Sequence, residues 1–96
     1  MELKPNKTQQ TDTLTEENID TDIPSRVVLF NDDWHTFEEV INQLIIAVNC
    51  NFEKARGFAF EVHVKGKAIV FSGSLNKCLK VTTVLEEIAL HTQILT

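Results

Sequence analysis

The sequence of 96 residues contains no tyrosine, one tryptophan, two prolines, two cysteines and three widely separated glycines. Because the glycines are isolated, the chain has no glycine-rich loop of the kind that binds phosphates. Cys50 and Cys78 form no CxxC motif and have no Cys/His metal spacing, so we interpret both as reduced thiols. No apolar run approaches the length of a membrane-spanning helix, and no apolar signal segment opens the sequence. We therefore expect a cytoplasmic protein without a membrane segment.

Basic residues are also scarce, and the net charge of −5 is distributed unevenly. Residues 1–24 contain six acidic residues and two lysines, whereas residues 25–96 contain eight acidic and seven basic residues. Without a basic stripe the chain lacks the electrostatic footprint of a nucleic-acid-binding protein. Residues 1–24 have too few apolar side chains to offset the entropy lost on ordering, so we predict a disordered acidic extension there. That extension is either an inert leader or a peptide that a partner engages.

Residues 25–96 predict one small domain, because the hydrophobic content of 43% is sufficient for a core. The spacing of the apolar residues predicts strands over 26–30, 67–72 and 93–96, and helices over 37–48, 52–64 and 75–90. We expect Gly73 to turn the chain after the second strand. The order β-α-α-β-α-β predicts an α+β sandwich in which three helices cover a small three-stranded sheet.

Capping signals mark the ends of the predicted helices. Thr36 and Glu39 have the spacing of a capping box at the start of the first helix. Asn51 and Ser74 are residue types that cap the N-termini of the second and third helices. Gly66 lies where a C-terminal cap of the second helix belongs.

Residues 31–35, with the sequence Asn-Asp-Asp-Trp-His, join the first predicted strand to the first helix. One interpretation is a plain turn, since Asn and Asp side chains bond the local backbone. A second is a site for a cationic group at the strand end. A third is catalysis or metal binding, which also uses Asp and His. However, no nucleophile has an evident base and no HExxH spacing is present, so we expect no enzyme, no metal and no cofactor.

Two motifs resemble those of the ClpS family, adaptors of the ATP-dependent Clp protease. The family pattern is roughly N-D-D-aromatic-T-P-M-x-x-V, followed by V-H-x-x-G-[R/K]-A. Here residues 31–40 read NDDWHTFEEV and residues 62–68 read VHVKGKA. The resemblance covers residues 26–96 without a gap, and two motifs at matching spacing make it specific.

The resemblance implies a fold like the C-terminal domain of the ribosomal stalk protein. It also implies an adaptor that is not an enzyme and acts as a monomer. Such an adaptor binds the free N-terminus of proteins that begin with a bulky hydrophobic residue. It delivers them to a ClpA-like AAA+ unfoldase, which engages the flexible N-terminal extension. The alternative is an interaction domain of the same fold with a different partner and no recognition of N-termini.

The resemblance also assigns the site residues. Asn31, Asp32 and His63 match the residues that hold the α-amino group; this is chemically reasonable, because an ammonium presents only donors and needs acceptors. Asp33 matches the residue that bonds the peptide backbone. The hydrophobic pocket for the first side chain matches five positions: Phe37, Val40, Ala59, Val62 and Ile94.

This chain departs from the family pattern at several positions. His35 and Thr36 replace the Thr-Pro pair, and Phe37 and Ala59 each replace a methionine. If Phe37 and Ala59 line one pocket, their opposite changes in volume partly compensate. The aromatic wall then favours aromatic first residues over leucine. The last predicted strand is also shorter than in the family.

Overall fold

The computed structural model describes residues 23–96. It contains β1 (Pro24–Phe30), α1 (Phe37–Val48), α2 (Phe52–Lys65), β2 (Lys67–Ser74), α3 (Leu75–Glu86) and β3 (Thr92–Leu95). This confirms the predicted order β-α-α-β-α-β. The three strands form one antiparallel sheet in the order β2-β1-β3. Residues 1–22 of the predicted extension lie outside the described residues.

The core lies between the sheet and the helices. The central strand β1 contributes Val27 and Leu29, which are fully buried. Helix α3 packs on all three strands, α2 packs on β2, and α1 packs against α2 and α3. Each helix adds apolar residues to this core, for example Leu44 of α1, Ala55 of α2 and Leu85 of α3. Within residues 23–96, no helix is long and apolar enough to cross a membrane.

The predicted capping interactions are present. The Thr36 hydroxyl accepts the Glu39 N–H at 3.1 Å, and the Glu39 carboxylate accepts the Thr36 N–H at 2.8 Å. Asn51 accepts the Lys54 N–H at 2.8 Å at the start of α2. Gly66 ends α2 with a φ of 89°, a left-handed conformation that glycine adopts without steric cost. These local contacts fix where α1 and α2 begin and where α2 ends.

The first two strands are longer than predicted. Pro24 begins β1, a position that tolerates proline because a missing N–H matters least at a strand end. The prediction that Gly73 turns the chain is wrong, because Gly73 continues β2 and pairs with Ser25. A side-chain carbon at Gly73 would lie 2.9 Å from the Phe71 ring, so glycine permits this close approach.

Helix α3 ends at Glu86, four residues before the predicted end at Leu90. The Leu90 N–H donates to the Leu85 carbonyl at 3.3 Å, and the Ala89 N–H donates to the Glu86 carbonyl at 2.9 Å. Ala89 has a φ of 65°. This pair of bonds around a left-handed residue is a Schellman turn. The turn places both Leu85 and Leu90 in the core, which explains why the helix stops early.

Candidate functional site

The predicted site lies at the end of β1. The Asn31 N–H donates to the Gly66 carbonyl at 2.9 Å, and the Phe30 N–H donates to the His91 carbonyl at 3.0 Å. The first bond holds residues 31–35 against the C-terminal end of α2, whose last turn carries His63. The second bond holds the same strand end against the segment that leads into β3.

Asp32 organises the turn after β1. One oxygen of its carboxylate, Oδ1, accepts the backbone N–H of Trp34 at 3.1 Å and that of His35 at 2.9 Å. These bonds are the turn chemistry expected of Asp. The turn interpretation and the binding-site interpretation are therefore compatible, because the other carboxylate oxygen is not used by the turn.

His35 joins Asp32 to the end of α3. Its side chain is only 3% exposed, its Nδ1 lies 2.6 Å from Asp32 Oδ2, and its Nε2 lies 2.6 Å from the Ile88 carbonyl oxygen. Both neighbours are acceptors, so the ring satisfies both only when each nitrogen carries a proton. A protonated His35 would also lie at the C-terminal end of a helix, where a cation is favourable.

The two groups stabilise each other's charge. Burial disfavours the charged imidazolium, but the bonds to the Asp32 carboxylate and the Ile88 carbonyl outweigh burial and raise the pKa of His35. Burial likewise disfavours the carboxylate, but the N–H and ring bonds from His35 and the N–H of Trp34 outweigh it and lower the pKa of Asp32. The site therefore holds an ionised carboxylate at neutral pH.

The single tryptophan stacks on His35. The Trp34 and His35 rings have centroids 3.9 Å apart and planes inclined by 32°. Trp34 is 65% exposed, so its other face is available to solvent or to a ligand. A stacked indole stabilises a neighbouring cation through its π electrons. This stacking is compatible with a protonated His35 ring.

The residues predicted to bind the α-amino group and the first peptide bond differ in exposure. Asp32 is 19% exposed at its side chain, while Asn31, Asp33 and His63 are exposed. Oδ1 of Asp32 accepts two N–H groups and Oδ2 accepts one. Because a carboxylate offers about four acceptor positions, Asp32 retains one for a further donor.

A small cavity lies beside Asp32. Its volume is about 20 Å³, and its walls are Leu29, Phe30, Asn31, Asp32, His35, Val40, Val62 and Leu90. This volume accommodates about one water molecule. The structure therefore brings two of the five predicted pocket residues, Val40 and Val62, together with Asn31 and Asp32.

The other three predicted pocket residues lie elsewhere. Phe37 packs edge-on against His63, with ring centroids 6.5 Å apart. Phe37 also lines a different cavity of about 270 Å³ with Arg56, Gly57 and Phe60. Ala59 is 3% exposed within the core, and Ile94 is half-buried in β3 opposite Val27. None of these three is a wall of the small cavity.

Sequence reasoning did not assign His35 and Leu90 to the site. The spacing Asp-x-x-His was a usable signal, because an Asp that folds a turn places its carboxylate near the third residue on. The other partner of His35 is Ile88, 53 residues away, and no local pattern connects them.

Other chemistry is not indicated in the described part of the chain. Among residues 23–96, no three His, Cys, Asp or Glu side chains are arranged to hold a metal ion. Cys50 and Cys78 are free thiols. Burial raises the pKa of the Cys78 thiol, which makes it a poor nucleophile.

Comparison with known proteins identifies the family. The family model described as "ATP-dependent Clp protease adaptor protein ClpS" matches residues 20–94. The chain belongs to the ClpS family. This confirms the resemblance that the two sequence motifs indicated.

Relatives include ClpS from Wolinella succinogenes, which is 36% identical over 44 residues, 46% of this chain and 43% of that protein. The mouse E3 ubiquitin-protein ligase UBR2 is 43% identical over 58 residues. That match covers 60% of this chain and 3% of UBR2. The chain therefore spans less than half of this ClpS and only a small part of UBR2.

A solved ClpS structure has the same fold. Agrobacterium tumefaciens ClpS2, bound to L-phenylalaninamide, matches with a TM-score of 0.64 and 22% sequence identity. The match covers 74% of this chain and 93% of that ClpS2 chain. The fold of this family member is therefore the predicted α+β sandwich.

Proposed function

We propose that this ClpS-family chain binds the free α-amino terminus of proteins whose first residue is bulky and hydrophobic. The observation that carries the proposal is the Asp32 carboxylate at the end of β1, which accepts three hydrogen bonds and has one acceptor position left. The ligand named for A. tumefaciens ClpS2 supports the proposal. L-phenylalaninamide combines a free α-amine with a bulky side chain, as an N-terminal phenylalanine does.

The neighbouring side chains complete the proposed site. The Asn31 amide oxygen and a ring nitrogen of His63 are the proposed acceptors for the remaining ammonium protons. Asp33 is the acceptor for the first backbone N–H of the peptide. All of these groups bind rather than react, so the chain acts without catalysis. His35 positions Asp32 and makes no proposed contact with the ligand.

The first side chain enters between α1 and α2. The cavity beside Asp32 has a volume of about 20 Å³, too small for a leucine or phenylalanine side chain. Binding therefore requires the side chains around this cavity, such as the half-buried Val40, to move apart. Burying such a side chain contributes about 1.5–3 kcal/mol. Hydrogen bonds to the charged ammonium add to this contribution, whereas the cost of association opposes it. We therefore expect a dissociation constant on the order of micromolar.

Fluorescence anisotropy with a labelled peptide that begins with phenylalanine tests the proposal. Acetylation of its α-amine removes the charge and should weaken binding at least about tenfold. Asp32→Asn should weaken binding of the free peptide by a similar factor, because the amide carries no charge. Glu87→Gln is the matched control, since Glu87 is exposed beyond the end of α3. Equal affinity for free and acetylated peptides would exclude the proposed ammonium site.

We further propose that the chain presents its ligand to the AAA+ unfoldase of a Clp protease. The description of the family as a Clp protease adaptor supports this. Deletion of residues 1–22 tests whether the acidic N-terminal segment takes part. The deletion should retain Ile23, because its carbonyl accepts the Leu75 N–H at 2.8 Å. We expect unchanged peptide affinity and no delivery; continued degradation of a leucine-first substrate would exclude a role for the segment.

A second candidate partner is the ubiquitin ligation machinery. The identity to mouse UBR2, 43% over 58 residues, exceeds the 36% over 44 residues to W. succinogenes ClpS. The peptide site is the same in both candidates and only the downstream partner differs. Degradation assays with purified Clp protease, and ubiquitination assays with the same substrate, separate them.

A further inference from the structure

We propose that the cavity lined by Phe37, Arg56, Gly57 and Phe60 binds the second residue of the N-terminal peptide and prefers a glutamate there. We name it the α2 cavity. This inference rests on the proposed function and adds a second specificity position to the same site. The residues that carry it lie on the outer side of α2 and at the first residue of α1.

The α2 cavity lies next to His63, one of the residues assigned to the ammonium group. The Phe37 ring meets the His63 ring edge-on, with centroids 6.5 Å apart and planes inclined by 84°. The same Phe37 is a wall of the α2 cavity. The cavity therefore begins one aromatic ring away from the imidazole assigned to the ammonium. Successive Cα atoms of a peptide are about 3.8 Å apart, so the second residue is the one within reach.

The α2 cavity has room for a side chain. Its volume is about 270 Å³, compared with about 20 Å³ beside Asp32. A side-chain carbon placed on Gly57 would meet no atom within 4 Å, so the helix surface is open there. Phe37 and Phe60 are 40% and 61% exposed, which leaves two aromatic rings available for packing. In an extended peptide, successive side chains point to opposite sides, which separates the second side chain from the first.

The charge of the α2 cavity selects an acidic group. Among the described residues that line the cavity, Arg56 is the only charged one. The ion pairs within residues 23–96 join His35 to Asp32 and Lys65 to Glu61, so no carboxylate of this part pairs with Arg56. A guanidinium binds a carboxylate through two parallel hydrogen bonds. The methylene groups of a glutamate can pack on the aromatic rings while its carboxylate meets Arg56.

Four labelled peptides that differ only at the second residue test this preference. They begin Phe-Gly, Phe-Glu, Phe-Gln and Phe-Lys, and their affinities are measured by anisotropy at low and high salt. We expect Phe-Glu to bind about three- to fivefold tighter than Phe-Gln at low salt, and Phe-Lys to bind weakest. Salt should reduce the difference, because the ion pair is partly exposed.

Two variants and one control test whether the α2 cavity causes the preference for glutamate. Arg56→Gln should give Phe-Glu and Phe-Gln equal affinities and leave Phe-Gly unchanged. Lys54→Gln is the matched control on the same helix, since its ammonium lies 6.0 Å from the Phe58 ring and outside the α2 cavity. Gly57→Leu should fill the cavity. It should therefore weaken the binding of Phe-Glu and Phe-Gln and leave the affinity for Phe-Gly unchanged.

The Phe-Gly peptide separates the two proposals. If Phe-Gly binds better than its acetylated form, while Phe-Glu and Phe-Gln bind equally, only the glutamate preference is overturned. A difference between Phe-Glu and Phe-Gln that persists in Arg56→Gln overturns it too. If free and acetylated Phe-Gly bind equally, the proposed function fails, and the α2 cavity proposal fails with it.

Discussion

The Nε2 atom of His35 lies 2.6 Å from the carbonyl oxygen of Ile88, a residue 53 positions later in the chain. Through its other nitrogen, His35 also bonds the carboxylate of Asp32. The imidazole therefore links the proposed ligand site to the Schellman turn that ends α3. Gln43 of α1 also bonds the end of α3, because its side-chain amide donates to the Val84 carbonyl at 2.6 Å. The geometry of the site consequently depends on where α3 ends.

Replacement of His35 by phenylalanine should lower the free energy of unfolding. A phenyl ring approximates the shape of the imidazole but leaves Asp32 Oδ2 and the Ile88 carbonyl without their donor. Loss of a donor to a buried acceptor costs about 1–3 kcal/mol. Urea denaturation followed by circular dichroism measures the change. His91→Phe is the control, because His91 is exposed and its ring contact with Phe30 is kept; equal effects of the two changes would contradict the role of His35.

The stability contribution of His35 and Asp32 should depend on pH. Because the pKa of His35 is raised, its contribution is complete below the ordinary value of 6.5 and disappears as the pH rises through the folded-state pKa. Because the pKa of Asp32 is lowered, its contribution is present above 3.8 and disappears as the pH falls through the folded-state pKa. The difference in unfolding free energy between the unaltered chain and His35→Phe should therefore be largest between pH 3.8 and 6.5.

Denaturation of both proteins at about pH 5 and about pH 9 checks this prediction. The gap between the two unfolding free energies should narrow at the higher pH, because the contribution of His35 decreases as the pH rises above 6.5. A gap of the same size at both values would show that His35 is neutral in the folded protein. The comparison uses a difference between two proteins, so other titrating groups largely cancel.

Local chemistry made most of the fold predictable. The capping box of Thr36 and Glu39, the N-cap Asn51 and the C-cap Gly66 each act within a few residues, and each lies where the sequence indicated. The central strand was evident because Val27, Val28 and Leu29 are consecutive apolar residues. These signals depend on neighbouring residues only, which is why the sequence carried them.

The features that the sequence did not reveal are long-range or lack a local signal. A β-bulge shifts the register between Val27 and Val28, so that Val27 pairs with Phe71 and Val28 with Ile69. Nothing in those residue types marks such a shift. The end of α3 was missed because Ala89, rather than glycine, adopts the left-handed conformation. The site was assigned by resemblance, and the volume of its cavities depends on how α1 and α2 pack.

Replacement of Ala89 by glycine should stabilise the domain. A left-handed φ costs an L-residue about 1–2 kcal/mol, whereas glycine adopts it freely but loses more entropy on folding. We expect a net gain of about 0.5–1 kcal/mol and a rise in Tm of about 4 °C. The same exchange at Ala47, in the last turn of α1, should instead destabilise by about 0.5 kcal/mol. A loss of stability on Ala89→Gly would contradict the Schellman turn.

The last prediction concerns Phe37 and Ala59, which the family resemblance placed in one pocket. In the structure Ala59 is 3% exposed within the core, whereas Phe37 is 40% exposed and lines the α2 cavity. Ala59→Met should therefore overpack the core and destabilise by about 1–3 kcal/mol. Phe37→Met should change stability by less than about 0.5 kcal/mol, because it alters an exposed side chain.

A double-mutant cycle measures whether the two residues are coupled. We expect the unfolding free energies to add within about 0.5 kcal/mol, because the two side chains have different neighbours. Peptide affinity, measured per folded molecule, should respond to Phe37→Met and only weakly to Ala59→Met. If Phe37→Met instead restores about 1 kcal/mol or more to the Ala59→Met protein, the two side chains share one space. The pocket for the first residue would then extend from Phe37 through to Ala59, and the α2 cavity would be part of it rather than a separate position.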